Sequence, residues 1–294
     1  MLNLILCIVC TGGVFLTFRA FESWGVNRYT AIVINYGIAA SLGWILSGGT
    51  SSMEAAYSMP WFVTTAIMGA GFLFLFNLMA KCTAELGVAV SSIASKLSLV
   101  IPVAIFLIID KTDVLTGIKA FALVLALIAI ILSSKGDDSK HLNHSKWAFL
   151  LPIIIFLGSG AIDLVFAWFS TPEFIPTIEH AMAFTSVPFS VAFILGIIIW
   201  FIKYQTSTTF RPPTKQDFYA GILLGVINFG SLFFLLGAYG TPGVDKSILI
   251  PGVNIGVVIF STLAAILLYQ DKPNQRTWLG IGFGCLSITV LMFA

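Results

Sequence analysis

Charge is what this sequence has least of. Lys+Arg number 15 and Asp+Glu 13 in 294 residues, 10% of the chain, where an ordinary soluble domain carries about 25%. That leaves too little polar surface to cover a globule in water. The net charge is only +2 and no basic run occurs, so nothing offers nucleic acid an electrostatic footprint. Cysteine is scarcer still, with 4, each inside an apolar stretch: Cys7, Cys10, Cys82 and Cys285. Cys7 and Cys10 form a C-x-x-C, but within an apolar helix they read as small hydrophobes rather than as a redox or metal pair. Also missing are H-E-x-x-H, G-x-S-x-G, a Walker A loop and a pair of intramembrane carboxylates. No catalytic residue, metal or cofactor is therefore expected. No basic n-region precedes the first apolar run at Leu2, so that run is read as a retained span rather than a signal peptide.

What the chain does have is long hydrophobic runs. Hydrophobic residues make up 58% of it and the mean hydropathy is +1.01. A bilayer core takes about 20 apolar helical residues, and open strands there would leave backbone groups unpaired. Reading for such runs gives ten expected spans. They are Leu2–Phe18, Tyr29–Leu46, Trp61–Ala80, Leu86–Ile109, Val114–Leu132, Trp147–Phe169, Ala181–Ile202, Phe218–Tyr239, Ser247–Tyr269 and Thr277–Phe293. Only Ser133–Lys146 and Tyr204–Lys215 are longer connections, and neither holds room for a soluble catalytic domain.

The two halves are alike. Ile108-Ile109-Asp110-Lys111 closes the fourth span as Tyr269-Gln270-Asp271-Lys272 closes the ninth, and a glycine-containing span follows each. Ile32–Gly37 in the second span lies opposite Phe184–Phe189 in the seventh. The expected organisation is a five-helix repeat over 1–133, a linker over 134–146 and a second five-helix repeat over 147–294. Five is odd, so the halves take opposite orientations. The expected fold class is thus an all-α polytopic membrane protein, ten transmembrane helices as a 5+5 inverted repeat. With an acidic residue closing the fourth span of each half, the chain resembles the EamA-type branch of the drug/metabolite transporter (DMT) superfamily over essentially its whole length. Many relatives carry Glu where Asp110 and Asp271 stand. The resemblance implies alternating access and a central cavity lined by the first, third and fourth spans of each half. It implies no particular substrate.

A charge at mid-bilayer costs about 2.5–3.5 kcal/mol or more, so each one is a functional candidate. Lys96 lies about 15 Å into the fourth span, close to its middle. Its ammonium suits an anionic substrate group, or else pairs structurally with a helix carbonyl or carboxylate. Asp163 in the sixth span is the one carboxylate expected well inside the membrane, with Lys96 or Lys246 as partner. It reads as a proton or cation relay, as a substrate counter-ion, or as a fixed ion pair between helices. Pro251-Gly252 is expected to kink or break the ninth span beside Asn254. Asn254, Asn228 and Asn77 are candidate substrate hydrogen-bonding groups, each equally able to serve as interhelical glue.

Trp44, Trp61, Trp147, Trp168, Trp200 and Trp278 lie near span ends and read as an interfacial belt. Gly221-x3-Gly225, Gly280-x3-Gly284 and Gly158-Ser159-Gly160 permit close helix packing. His141 and His144 sit in the linker and read as solvated rather than metal-binding. Loop cations favour the odd-numbered loops by eleven to three, which places those loops in the cytoplasm and both termini outside, whereas relatives usually keep both termini inside. The resulting expectation is a secondary transporter, an exporter of a small polar or anionic metabolite or drug-like solute, in a bacterial inner membrane. Its partners would be lipid, the solute and protons or a counter-substrate, with no nucleic acid, as monomer or dimer. The alternatives are an intramembrane enzyme or a non-transporting scaffold.

Overall fold

Apolar side chains along nearly the whole chain leave helix as the local solution, since each helix closes its own backbone hydrogen bonds. The computed structural model describes residues 2–109, 116–134, 148–169, 173–207, 210–239 and 246–293. Among them every regular element is helical: α1 (Leu2–Ser23), α2 (Arg28–Ser47), α3 (Thr50–Ala56), α4 (Phe62–Leu86), α5 (Val88–Leu97), α6 (Val100–Ile109), α7 (Gly117–Ser134), α8 (Leu150–Phe169), α9 (Ile178–Thr206), α10 (Lys215–Tyr239), α11 (Lys246–Tyr269) and α12 (Gln275–Met292). Seven stretches are long and apolar enough to cross a membrane, and two shorter apolar helices accompany them. This is a multi-pass membrane protein.

Each expected span meets a helix, but several boundaries differ. α1 runs through Arg19 to Ser23, and α4 runs through Lys81 to Leu86. The charges do not end these helices because they are paired: Arg19 with Glu22 at 3.3 Å and Lys81 with Glu85 at 3.8 Å, one turn on. The expected fourth span is two helices. Ser98 and Leu99 form a turn between α5 and α6, where the Ser98 hydroxyl lies 2.5 Å from the Ser95 carbonyl and Ile101 N–H donates to Ser98 O at 2.9 Å. Pro102 then falls in the first turn of α6, where its missing N–H costs nothing. The break expected at Pro251-Gly252 does not occur. α11 is continuous there, since one lost donor leaves the rest of its ladder intact and apolar surroundings offer the backbone no alternative partner. Asp110, Lys111, the linker with His141 and His144, Trp147, Thr171, Pro172 and the segment before Lys246 lie outside the described residues.

Short connections make chain neighbours antiparallel, and two ends of the bundle result. At one, Asn27 N–H and the Arg211 guanidinium both reach Asp217, and Arg19 meets Asp271. It carries the basic loops and is called the basic face. At the other, Trp61 donates to Phe174 O at 3.2 Å. Trp61 is fully buried against Phe184 and so is no belt residue, while Trp24, Trp168 and Trp278 stay near half exposed. The main packing pairs are α7 with α12, α2 with α10 and α9, α1 with α10 and α11, α4 with α8 and α9, and α5 with α8 and α11. Between α2, α4, α8 and α9 runs an aromatic column of Tyr36, Phe72, Phe166, Phe184 and Phe189. Tyr36, otherwise an unsatisfied hydroxyl in that column, donates to Phe72 O at 2.7 Å.

Asp217 is fully buried at the start of α10, a carboxylate the sequence reading overlooked. It accepts from Arg211, from Thr214 N–H at 2.7 Å and from Asn27 N–H at 2.7 Å, stapling two connections on the basic face. Those hydrogen bonds raise the Arg211 guanidinium further above its already high value.

The close packing expected of glycine holds at two places. A Cβ on Gly221 or Gly225 would sit 2.9 Å from the α2 carbonyls of Ala31 and Asn35, and one on Gly158 or Gly160 would strike Leu75 or Ile101. Backbone cannot yield as a side-chain tip can. Gly225→Ala is therefore expected to lower stability by about 1–3 kcal/mol. Gly282→Ala, with nothing within 4 Å of the added carbon, should be neutral. Melting of the two variants in detergent, followed by tryptophan fluorescence, checks the contrast.

Candidate functional site

The break between α5 and α6 falls one turn from Lys96, in the last turn of α5. α5 packs on α8 from the second half of the chain, and this brings Lys96 and Asp163 into electrostatic contact. Lys96 and Asp163 are each half-buried. Lys96 makes neither a hydrogen bond nor a direct ion pair among the described residues, so its three donors are available.

Among the described residues Asp163 has one hydrogen-bond partner, the Ser98 hydroxyl at 2.5 Å. The same hydroxyl lies 2.5 Å from the Ser95 carbonyl. A hydroxyl has one proton to give. If it goes to Asp163, the carboxylate is ionised and Ser95 O waits for a donor. If it goes to Ser95 O, the contact with Asp163 requires a proton on the carboxyl. The helix break thus sets one hydroxyl between the Asp163 carboxyl and the Ser95 carbonyl. Gly158 and Gly160, just before Asp163, bring α8 against Leu75 of α4 and Ile101 of α6 closely enough for this.

The other candidates lie elsewhere. Asn228 donates to Asn35 Oδ1 at 3.1 Å, a buried link between α10 and α2. Asn77 donates to Leu73 O of its own helix at 2.7 Å. Asn254 is half-buried on α11, which packs on α1 and α5, and an added carbon on its neighbour Gly252 would meet open space. Lys246 begins α11, and its side chain lies outside the described residues. Ser95 and Ser98 were missed as site residues. The signal was a serine pair flanking the intramembrane lysine just ahead of Pro102.

The family model described as sugar transport protein matches residues 109–293. The chain belongs to the sugar transport protein family. It is a transporter family of drug/metabolite type, so the site sits in a membrane transporter. A Haemophilus influenzae protein described as an uncharacterized protein is 26% identical, over 99% of this chain and 97% of its own length. A solved structure, described as a crystal structure of protein, superimposes with a TM-score of 0.57 at 14% identity, over 98% of this chain and 94% of that one. That likeness is one of fold.

Ser98 and Asp163 are predicted to be coupled. Ser98→Ala is expected to destabilise the protein by about 1–3 kcal/mol, because the carboxyl loses its protein partner. In an Asp163→Asn background the same change should lose less, with a coupling of about 0.5–3 kcal/mol in the double-mutant cycle. Melting of the four proteins in detergent measures it.

Proposed function

We propose that the protein is a secondary transporter that carries a neutral sugar by alternating access, with Lys96 and Asp163 at its substrate site. The carrying observation is a lysine that, among the described residues, makes no hydrogen bond and interacts electrostatically with an aspartate whose hydrogen-bond partner there is a serine. Lys96 alone would favour an anion. With Asp163 beside it the local charge sums to zero, and the pair offers donors on one side and acceptors on the other. Neighbouring hydroxyls of a sugar satisfy both at once, whereas an anion would meet the carboxylate. The name of the matching family points the same way.

The architecture proposed with it is ten spans of EamA-like drug/metabolite transporter type, in two inverted halves at 1–133 and 147–294 joined by 134–146. The helix pairs support this. Exchanging each span with the one five places on turns the α2–α10 pair into α9–α4, and α1–α11 into α8–α5/α6, and all of these pairs pack. Asn254 on α11 stands in the half opposite Lys96 and supplies a further polar group. Asn228, Asn77 and Lys246 belong to the surrounding frame. The proton choice at Ser98 gives Asp163 a coupling role, in which a proton travels with or against the solute. The basic face is assigned to the cytoplasm by its loop charges, in a bacterial inner membrane.

Purified protein in proteoliposomes should move a radiolabelled monosaccharide from a hexose and pentose panel. Lys96→Met is expected to cut that flux by about tenfold or more, and Lys96→Arg to keep part of it, since charge survives while geometry changes. Asp163→Asn should uncouple flux from an imposed proton gradient. Wild-type flux by Lys96→Met would return the lysine to helix packing.

A further inference from the structure

Away from the Lys96 site, a cleft of about 100 Å³ opens on the basic face where α1, α4, α5, α11 and α12 meet. Arg19, Glu85, Gly87, Thr262, Asp271 and Asn274 line it. Two contacts tie the halves together here. Arg19 of α1 pairs with Asp271 at 3.2 Å, and Tyr269 OH of α11 donates to Leu16 O of α1 at 3.1 Å. Gln270 turns Asp271 inward with a φ of 55°, the one positive value outside glycine among the described residues. The Asp271 Oδ2 atom would lie 3.7 Å from a Cβ on Gly87, whose φ of 92° makes the abrupt joint between α4 and α5.

The second observation is where hydrogen bonding fails. Among the described residues the buried side-chain polar atoms with no partner are Arg28 Nε, Thr83 Oγ1, Glu85 Oε2, Thr262 Oγ1 and Asp271 Oδ2. Three of these residues line the cleft, and Arg28 and Thr83 lie at the same end of the bundle. Thr262 is only 2% exposed. Unpartnered buried groups are unfavourable, and hydration would relieve them. The closed basic face is therefore held by a few cross-half contacts against polar groups that favour opening.

We infer that this cleft is the gate on the basic face, with Arg19 and Asp271 as its latch and Tyr269 as its second fastener. When the latch parts, Gly87 is the joint at which α5 swings, and the oxygens of Glu85, Thr262 and Asp271 take their missing hydrogen bonds from the aqueous side. The inference rests on the alternating-access reading, but its test needs no knowledge of the solute.

With the four natural cysteines replaced by serine, Thr262→Cys reports opening through its rate of reaction with a maleimide in detergent. Gln275→Cys, exposed on the same face, is the control for reagent reactivity. In the parent, Cys at 262 should react far more slowly than Cys at 275. Arg19→Gln and Asp271→Asn are each expected to raise the rate at 262 by about tenfold, and Tyr269→Phe to raise it less. The exchange Arg19→Asp with Asp271→Arg should return it toward the parent, which separates loss of the latch from general loosening. Rates within about twofold of the parent in all three single variants, or no recovery on the exchange, would overturn the gate. Slow labelling with intact latch behaviour but no sugar flux would instead discard the substrate reading alone.

Discussion

In hydrocarbon an unpaired polar group costs several kcal/mol, and the layout of this protein follows from that one constraint. It makes every regular element among the described residues helical, and it gives each intramembrane polar side chain a specified place. Tyr36 is spent on Phe72 O, Asn77 on Leu73 O, and Asn228 on Asn35. Thr17, Ser186 and Ser190 each return their hydroxyl to the carbonyl one turn back. Against that background, groups left without partners stand out as places where something else is meant to bind or where the structure is meant to move. Among the described residues Lys96 is one such group, and the oxygens of the basic-face cleft, with Arg28 Nε and Thr83 Oγ1 at the same end, are others.

The packing that holds the frame is of the kind lipid favours. Small residues let backbones approach, so Gly221 and Gly225 seat α10 on α2, while Gly196 accepts Val33 of the same α2 from α9. α2 is thereby clamped between two helices of the other half. α1 and α11 are packed the same way, with Gly12 against Phe260 and Gly256 against Ile8, and the helices that carry the site and the cleft add the Arg19–Asp271, Tyr269–Leu16 and Ser98–Asp163 contacts.

Much of this was legible in the sequence because hydrophobic run length and turn residues decide where helices lie in a membrane. Each expected span overlaps a helix, seven stretches being long and apolar enough to cross a membrane, and Lys96 and Asp163, singled out in the sequence, interact electrostatically in the structure. What misled was the reading of charge and proline as terminators. Arg19 and Lys81 sit inside helices because each finds a carboxylate one turn away. Pro251 leaves α11 unbroken, while the fourth span breaks at Ser98-Leu99, ahead of Pro102, through serine competition for the Ser95 carbonyl. The partnership of Arg19 with Asp271 joins residues 252 apart in sequence and has no local signal at all. Asp217 was missed for a related reason: it reads as an exposed first-turn acid, and only the return of the Asn27 and Arg211 connections buries it.

The same break gives the site and the cleft a common mechanical element. α5 is ten residues long, about 15 Å, and is bounded by Gly87 at one end and by the Ser98-Leu99 turn at the other. Its first turn abuts Asp271 in the cleft, and its last turn carries Lys96 beside Asp163. A continuous fourth span would tie Lys96 rigidly to the opposite face as well, so that no motion at one end could occur without the other. Cut at Ser98, the helix becomes a short rod with its own joint at each end. A tilt at Gly87, as proposed, would move Lys96 relative to Asp163 and disturb the contacts of the Ser98 hydroxyl with Asp163 and Ser95 O. If the proposed site and gate are as inferred, both are read out by the orientation of this one helix.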